Sequence, residues 1–397
     1  MNQLGTPLVA IIGCGYIGNQ LLCEFSKHHK VIGYDISASR VHELRQQFST
    51  KNGASHYNGQ VCLTTRIQDL AMATHFLISV PTTSREDGSV DMTCIEDALR
   101  IVTAVALPGS TVVIESSVAV GTTRALLGPI AASRGLFGGV SPERIDPGRM
   151  DPLPSSIPKL VAGLDDIVPG SLQAIKRLYS TVFRHLVAVS RPEVAEMTKL
   201  YENCQRLVGI AFANEIADAC GEHGVDPSEV CSAAATKPFG FMPYTPSIGV
   251  GGHCLPTNAR YLLSNNRLPL LESAANSTRA RPGMIAQKIV DSFSYHNGDS
   301  IPKVLVVGIA YKKGQNSIVD SPGLQLIEAL SQFEQVDVWW ADSLVPQSRV
   351  PHIKRLPNEE WNRGTLATFD HITVAFIQPG TEQDPLRRLT GVKIDRW

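Results

Sequence analysis

Leu8-Val9-Ala10-Ile11-Ile12-Gly13-Cys14-Gly15-Tyr16-Ile17-Gly18 is the stretch on which the fold of this chain turns. Five apolar residues without polar alternation read as a strand buried on both faces, the kind a parallel sheet contains. Gly13, Gly15 and Gly18 then supply a tight turn, room for a pyrophosphate, and close packing of the next helix. Residues 19–28 read as that helix, whose N-terminus attracts phosphate charge, and 31–34 as a second strand ending at Asp35. Tyr16 and Ile17 lie inside the glycine fingerprint and are expected beside the cofactor with it. Asp35 is placed to bond a ribose 2′-hydroxyl and disfavours a 2′-phosphate, so NAD is expected over NADP, with Arg40 nearby as a contrary sign. The glycines alone would fit a structural turn; strand, glycines, helix, strand and acid in that order favour a dinucleotide.

Further apolar runs at 75–80, 110–116 and 138–141 each end in small polar residues or proline. Ligands gather outside the carboxyl ends of strands in an open parallel sheet, so Thr82, Ser116, Ser117, Glu143 and Arg144 are expected to line one crevice. Thr82 and Ser116 also suit helix caps. Glu143, directly after Ser141-Pro142, has no cap role and is read as functional.

Residues 192–223 carry a helical pattern far longer than the average globular helix, as expected of a domain bridge or subunit interface. Lys199 and Asn203 stand one turn apart and share a face, either pointing together at a ligand or simply solvated. Glu193, Glu196 and Glu202 read as ordinary surface. Helices continue to 298, interrupted by a Pro-, Tyr- and Gly-rich loop at 239–252 that includes Tyr244. That loop runs into Gly249-Val250-Gly251-Gly252-His253-Cys254, followed by a helix whose first turn is expected to contain Pro256 and Asn258. Three glycines would let backbone N–H groups approach an anion, and a helix N-terminus favours a thiolate. A glycine turn with an inert buried cysteine is the alternative on this decapeptide alone. A second α/β unit follows, with strands at 304–310, 336–340 and 372–377, a helix from Ser321-Pro322, and Lys312 at a strand end as a phosphate contact.

At 397 residues the chain is long enough for two or three domains, and 43% hydrophobic with 18% charged residues is a soluble composition. The net charge of -1 gives no electrostatic reason to expect nucleic acid or an anionic membrane. No leader pattern or apolar span is seen, and a cytoplasmic protein is expected. Eight cysteines are scattered without metal-ligand spacing, so free thiols and no metal are expected.

Taken in order, the glycine fingerprint, Val80-Pro81-Thr82, Glu115-Ser116-Ser117, Ser141-Pro142-Glu143-Arg144, Lys199 with Asn203, the Gly-x-Gly-Gly-x-Cys loop and Ala310-Tyr311-Lys312 resemble the UDP-glucose/GDP-mannose dehydrogenase family. Lys237-Pro238-Phe239-Gly240-Phe241-Met242-Pro243 and Gly-Gly-His-Cys look closer to its UDP-N-acetylhexosamine members. The resemblance implies an α/β protein of two Rossmann-like doubly wound units joined by a central helical domain with one long helix. Its divisions would be 1–190 for NAD, 191–298 for the helical dimerisation unit, and 299–397 for the nucleotide sugar. It also implies a homodimer, a nucleotide-sugar substrate, and oxidation of C6 to a carboxylate by two hydride transfers. Cys254 would carry the thiohemiacetal and thioester, Lys199 and Asn203 the oxyanion, and Glu143 the hydrolytic water. Ser117 and Asn258 occupy catalytic positions, while Arg144, Tyr244, Gly249, Gly251, Gly252 and Lys312 would hold substrate.

Three departures stand out. Asn258 replaces the family's Asp and cannot accept a proton near neutral pH. Ser117 replaces a Thr, and Val319 an Arg that the family uses on substrate. They leave room for a second expectation, a homologue that binds NAD or a nucleotide sugar as a regulatory or partner subunit without full turnover. A hydroxyacid dehydrogenase of the 6-phosphogluconate type ranks third, having no need of the Cys loop.

Overall fold

A computed structural model describes residues 7–49, 60–84, 90–146, 151–293, 301–387 and 389–397. The chain forms two compact units, 1–202 with 260–266 and 203–259 with 267–397.

The first unit is built on an eight-stranded sheet. Its strands are β1 (Leu8–Ile12), β2 (Lys30–Tyr34), β3 (Val61–Thr64), β4 (His75–Ile78), β7 (Thr111–Ile114), β8 (Phe137–Val140), β9 (Lys159–Gly163) and β10 (Leu186–Ala188); β5 (Thr83–Ser84) and β6 (Val90–Asp91) form a separate antiparallel ribbon. The order is β10-β9-β8-β7-β4-β1-β2-β3. Pairing is parallel except between β8 and β9. The chain reverses direction across β1, between β2 and β4, which is the switch point of a doubly wound sheet. Both faces are covered, as the unbroken apolar run of β1 requires. Val9 and Ile11 pack with Leu21, Leu22 and Phe25 of α1 (Tyr16–Phe25), while Ala10 and Ile12 pack in a second cluster with Ile95, Leu99 and Val102. That second cluster includes residues of α3 (Thr93–Val105) and α4 (Thr122–Arg134); α2 (Ala38–Ser49) follows β2, and α5 (Ser171–Tyr179) lies between β9 and β10. Helix α1 begins at Tyr16, inside the glycine fingerprint and three residues earlier than the sequence pattern placed it, because the turn at Gly13 already aims the chain into the helix.

The second unit holds a five-stranded, all-parallel sheet in the order β13-β12-β11-β14-β15. Its strands are β11 (Lys303–Val307), β12 (Asp337–Ala341), β13 (Lys354–Arg355), β14 (His371–Val374) and β15 (Lys393–Arg396). It too switches direction beside its first strand. Long helix α6 (Pro192–Glu222) has 31 residues, and the division between the units falls inside it. Helices α7 (Pro227–Ala235), α8 (Cys254–Ser264), α9 (Pro269–Phe293) and α10 (Pro322–Leu330) follow, with two one-turn helices at Arg363–Leu366 and Asp384–Arg387. Val304 and Val306 pack against Ile285 and Ile289 of α9 and Leu326 and Ile327 of α10; Leu305 and Val307 face Ile372 and Val374. Ser321 caps α10 through its hydroxyl, with Pro322 in the first turn.

Candidate active site

In the first unit the glycine turn divides its work as the fingerprint requires. Gly13 has φ +87°, and a Cβ at Gly18 would sit 1.9 Å from the Gly13 carbonyl oxygen, so these two glycines hold helix to strand. A Cβ at Gly15 would meet nothing within 4 Å, and no side chain caps the first turn of α1. The first turn of α1 thus keeps open space at Gly15, the room a pyrophosphate needs. Asp35 accepts from Cys14 N–H at 2.8 Å and Ser37 N–H at 2.9 Å, which fixes its carboxylate beside the turn with acceptor capacity left for a ribose. Arg40 is tied down by donation to the Cys14 carbonyl at 2.8 Å and by Glu43 at 2.8 Å. Tyr16 stands exposed and Ile17 half-buried at the mouth.

Around the carboxyl ends of β4 and β7, neither hydroxyl caps a helix. Ser116 donates to the Val80 carbonyl at 2.7 Å, and Thr82 meets the hydroxyl of buried Tyr261, whose pKa is pushed up to about 12 chiefly by burial. Ser117 follows, half-buried.

Glu143 is not a free base. Its Oε1 accepts from the N–H groups of Arg144 (2.6 Å) and Ile145 (2.9 Å), and its Oε2 from Lys159 Nζ at 2.7 Å. Lys159 also donates to Glu115 at 2.7 Å, and Glu115 accepts from the Tyr179 hydroxyl. All four side chains are buried. Burial alone would raise Glu143, but Lys159, the Arg144 N–H and the charge of Lys199 outweigh it and hold the group below the usual carboxylate value. Glu115, where burial dominates, is raised instead. Lys159 has no local signal in the sequence: a lysine at the head of an apolar strand becomes buried only through its partners 16 and 44 residues away.

The acids of α6 correct the reading of an ordinary surface. Glu196 is 2% exposed and accepts from Gly121 and Thr123 N–H at 2.6 and 2.8 Å, capping α4 from a distance. Glu193 pairs with Arg124 at 2.5 Å, and Glu202 accepts from Nη2 and Nε of Arg144 at 2.5 and 3.2 Å, while Nη1 of Arg144 donates to the Pro158 carbonyl at 2.9 Å. Arg144 is therefore held by protein. Lys199 is buried.

In the second unit, α8 starts at Cys254 itself, two residues before Pro256, and the thiol is exposed. One turn on, buried Asn258 accepts through its side-chain carbonyl from the amide of Asn203. The glycine loop does something other than cradle a ligand through every N–H. Gly252 N–H donates to the Val319 carbonyl at 3.0 Å, and a Cβ there would lie 2.4 Å from the Tyr311 ring. Cβ atoms at Gly249 and Gly251 would meet Pro322 at 3.0 and 2.6 Å. Tyr244 lays its ring on α6, 2.1 Å from where a Cβ of Gly209 would be. Lys312 is half-buried in the turn after β11. Among the described residues no group of three metal-ligating side chains forms, and no helix is long and apolar enough to cross a membrane.

The doubly wound sheet with its open glycine turn defines the first unit as a dinucleotide-binding one. Residues 8–183 match the NAD binding domain, and 193–277 the central domain, of the UDP-glucose/GDP-mannose dehydrogenase family. The chain belongs to this family, and its cofactor is NAD. It is 30% identical over 363 residues to a UDP-N-acetyl-D-glucosamine 6-dehydrogenase of Pseudomonas aeruginosa, covering 83% of this chain and 82% of the relative. A UDP-N-acetyl-D-mannosamine dehydrogenase of Pyrococcus horikoshii is 30% identical over 340 residues, covering 81% and 80%. A solved structure of UDP-D-ManNAc dehydrogenase from Pyrococcus horikoshii has a TM-score of 0.81 at 26% identity, covering 94% of this chain and 90% of that one.

Proposed function

We propose that this chain oxidises the C6 alcohol of a UDP-N-acetylhexosamine to the uronate. The observation that carries this reading is the exposed thiol of Cys254 at the first residue of α8, one turn from the Asn258–Asn203 amide pair. Bound NAD would supply the hydride acceptor for each of the two oxidations. Gly13, Gly15, Gly18 and Asp35 would hold it, with Tyr16, Ile17, Thr82 and Ser116 flanking it and Arg40 bracing the turn. The first oxidation takes a hydride and the hydroxyl proton from the C6 alcohol and leaves an aldehyde. The Cys254 sulfur adds to its carbon as a thiolate, the oxygen taking up a proton to give a thiohemiacetal, and loss of a second hydride and that proton leaves a thioester. Lys199 and the Asn203 amide stabilise the developing oxyanion, and Ser117 orders the polar groups nearby. Water oxygen then bonds the thioester carbon, the C–S bond breaks, sulfur leaves as thiolate, and two protons pass to the medium as the carboxylate forms. Glu143 holds that water as an acceptor. Gly249, Gly251, Tyr244, Lys312 and Arg144 shape the substrate side.

The three-domain division and cytoplasmic residence belong to the same reading, as does a homodimer through α6. Tyr201 at 63% and Phe212 at 61% exposure on that helix support the dimer. Light scattering would return twice the chain mass.

A second reading, a homologue that binds NAD or nucleotide sugar with little turnover, is favoured by Asn258, an amide where the family carries an acid. Incubation with NAD and a panel of UDP-hexoses and UDP-N-acetylhexosamines, followed at the NADH band with product masses, separates the two. NADH with a uronate mass supports the enzyme. Binding without NADH, and no gain from Asn258→Asp, supports the second.

A further inference from the structure

We propose that Lys159 is a positioning residue for the hydrolytic half-reaction: clamped between Glu115 and Glu143, it fixes the direction and charge of the carboxylate that orients water. This rests on the reading of Glu143 given above, and goes beyond it in naming what makes Glu143 fit for the role.

The geometry leaves Glu143 a single opening. A carboxylate oxygen has two lone pairs. Two backbone N–H groups fill those of Oε1, while Lys159 takes one at Oε2. The remaining lone pair therefore points in one direction, which is how a water-orienting group differs from a carboxylate free to rotate. Glu143 N–H donates to the Glu115 carbonyl at 3.2 Å, so the main chain of the two acids is tied as well as their side chains.

The charges point the same way. Glu143 is faced by Lys159 from β9, by Glu115 from just past the end of β7 and by the charge of Lys199 from α6; Tyr179 from α5 reaches the cluster through Glu115. Lys159 Nζ also lies 5.5 Å from the Phe183 ring centroid, in a wall of Phe25, Tyr179 and Phe183. A buried ammonium between two carboxylates stays charged, since losing its proton would leave two anions unpaired. Both carboxylates hold Lys159 in its charged form, Glu143 by itself included, and Lys159 keeps Glu143 ionised. Without the lysine, the same burial that raises Glu115 would act on Glu143.

The test uses the full chain with Lys159→Met, Lys159→Arg, Glu115→Gln and Glu143→Gln, each checked for NAD binding. With the UDP-N-acetylhexosamine that the panel identifies, Lys159→Met should retain the rapid NADH burst, accumulate the Cys254 thioester by mass spectrometry, and lose roughly 10- to 100-fold in steady-state turnover. The acidic limb of its pH profile should move to higher pH. Lys159→Arg should recover most of the rate. Should Lys159→Met not fold, Glu115→Gln decides, because removing one anion should move the acidic limb to lower pH. Turnover and pH limb unchanged in these variants would overturn the proposal. A Glu143→Gln variant that hydrolyses the thioester normally would instead overturn the role given to Glu143. Infrared titration needs no substrate: the Glu143 band, found by difference from Glu143→Gln, should protonate at higher pH in Lys159→Met than in the native chain, and an unmoved band would contradict the clamp.

Discussion

The two doubly wound units start alike and end differently. Each opens on an apolar strand, turns at a glycine with φ +87° (Gly13 and Gly308), and sets a second glycine, Gly18 or Gly323, against that turn's carbonyl. Each closes its second strand on an aspartate whose carboxylate accepts from the turn's backbone. The first turn stays open at Gly15, and Asp35 is only half-buried. In the second, Asp342 is buried and accepts from Ile309, Ala310 and Leu344 N–H and from Gln378. The start of α10, at Pro322, is met by Gly249 and Gly251 of the loop that leads to Cys254. The helix start left open at Gly15 in one unit is, in the other, met by the chain's own glycine loop. The glycines before Cys254 are there as much for this close backbone docking as for any ligand.

Substitutions can break this contrast at either end. Gly18→Ala should have the largest effect, since its Cβ would fall 1.9 Å from a backbone oxygen; a loss of about 3 kcal/mol with NAD binding abolished is expected from denaturant unfolding and NAD titration. Asp342→Asn should cost about 2 kcal/mol by leaving buried donors poorly matched, with NAD affinity unchanged, whereas Asp35→Asn should spare stability and narrow the preference for NAD over NADP. Gly252→Ala should cost roughly 1–2 kcal/mol from its φ of +80° and lower turnover without altering NAD affinity. The smallest change is expected from pH. Glu143 lies below its ordinary value of 4.5 in the fold, so its contribution is present above that pH and lost as pH falls through the lower folded value. Unfolding midpoints measured on the acid side should fall more steeply in the native chain than in Glu143→Gln.

What could be read in the sequence was local. Strand β1, the glycines, α1, β2 and Asp35 lie within one short stretch, and the unbroken apolar run announces a strand covered on both faces. The second sheet was legible for the same reason at β11, β12 and β14, and so was the Ser321-Pro322 start of α10. The rest depends on partners far along the chain. Glu196 looks like any helix-surface acid until Gly121 and Thr123 present unpaired N–H groups to it. Lys159 heads a strand that no pattern marked, and its burial follows from two carboxylates just past the ends of β7 and β8. Glycines 251 and 252 announce close approach without saying to what, and here the answer is Asp320, Pro322 and Tyr311.

The account rests on Cys254, and single-turnover oxidation of the nucleotide-sugar aldehyde tests it most directly. The native chain should form NADH and carry a covalent acyl mass on the peptide containing Cys254. The Cys254→Ala chain should form neither while still binding the nucleotide sugar. Full NADH formation from the aldehyde by Cys254→Ala would contradict the account.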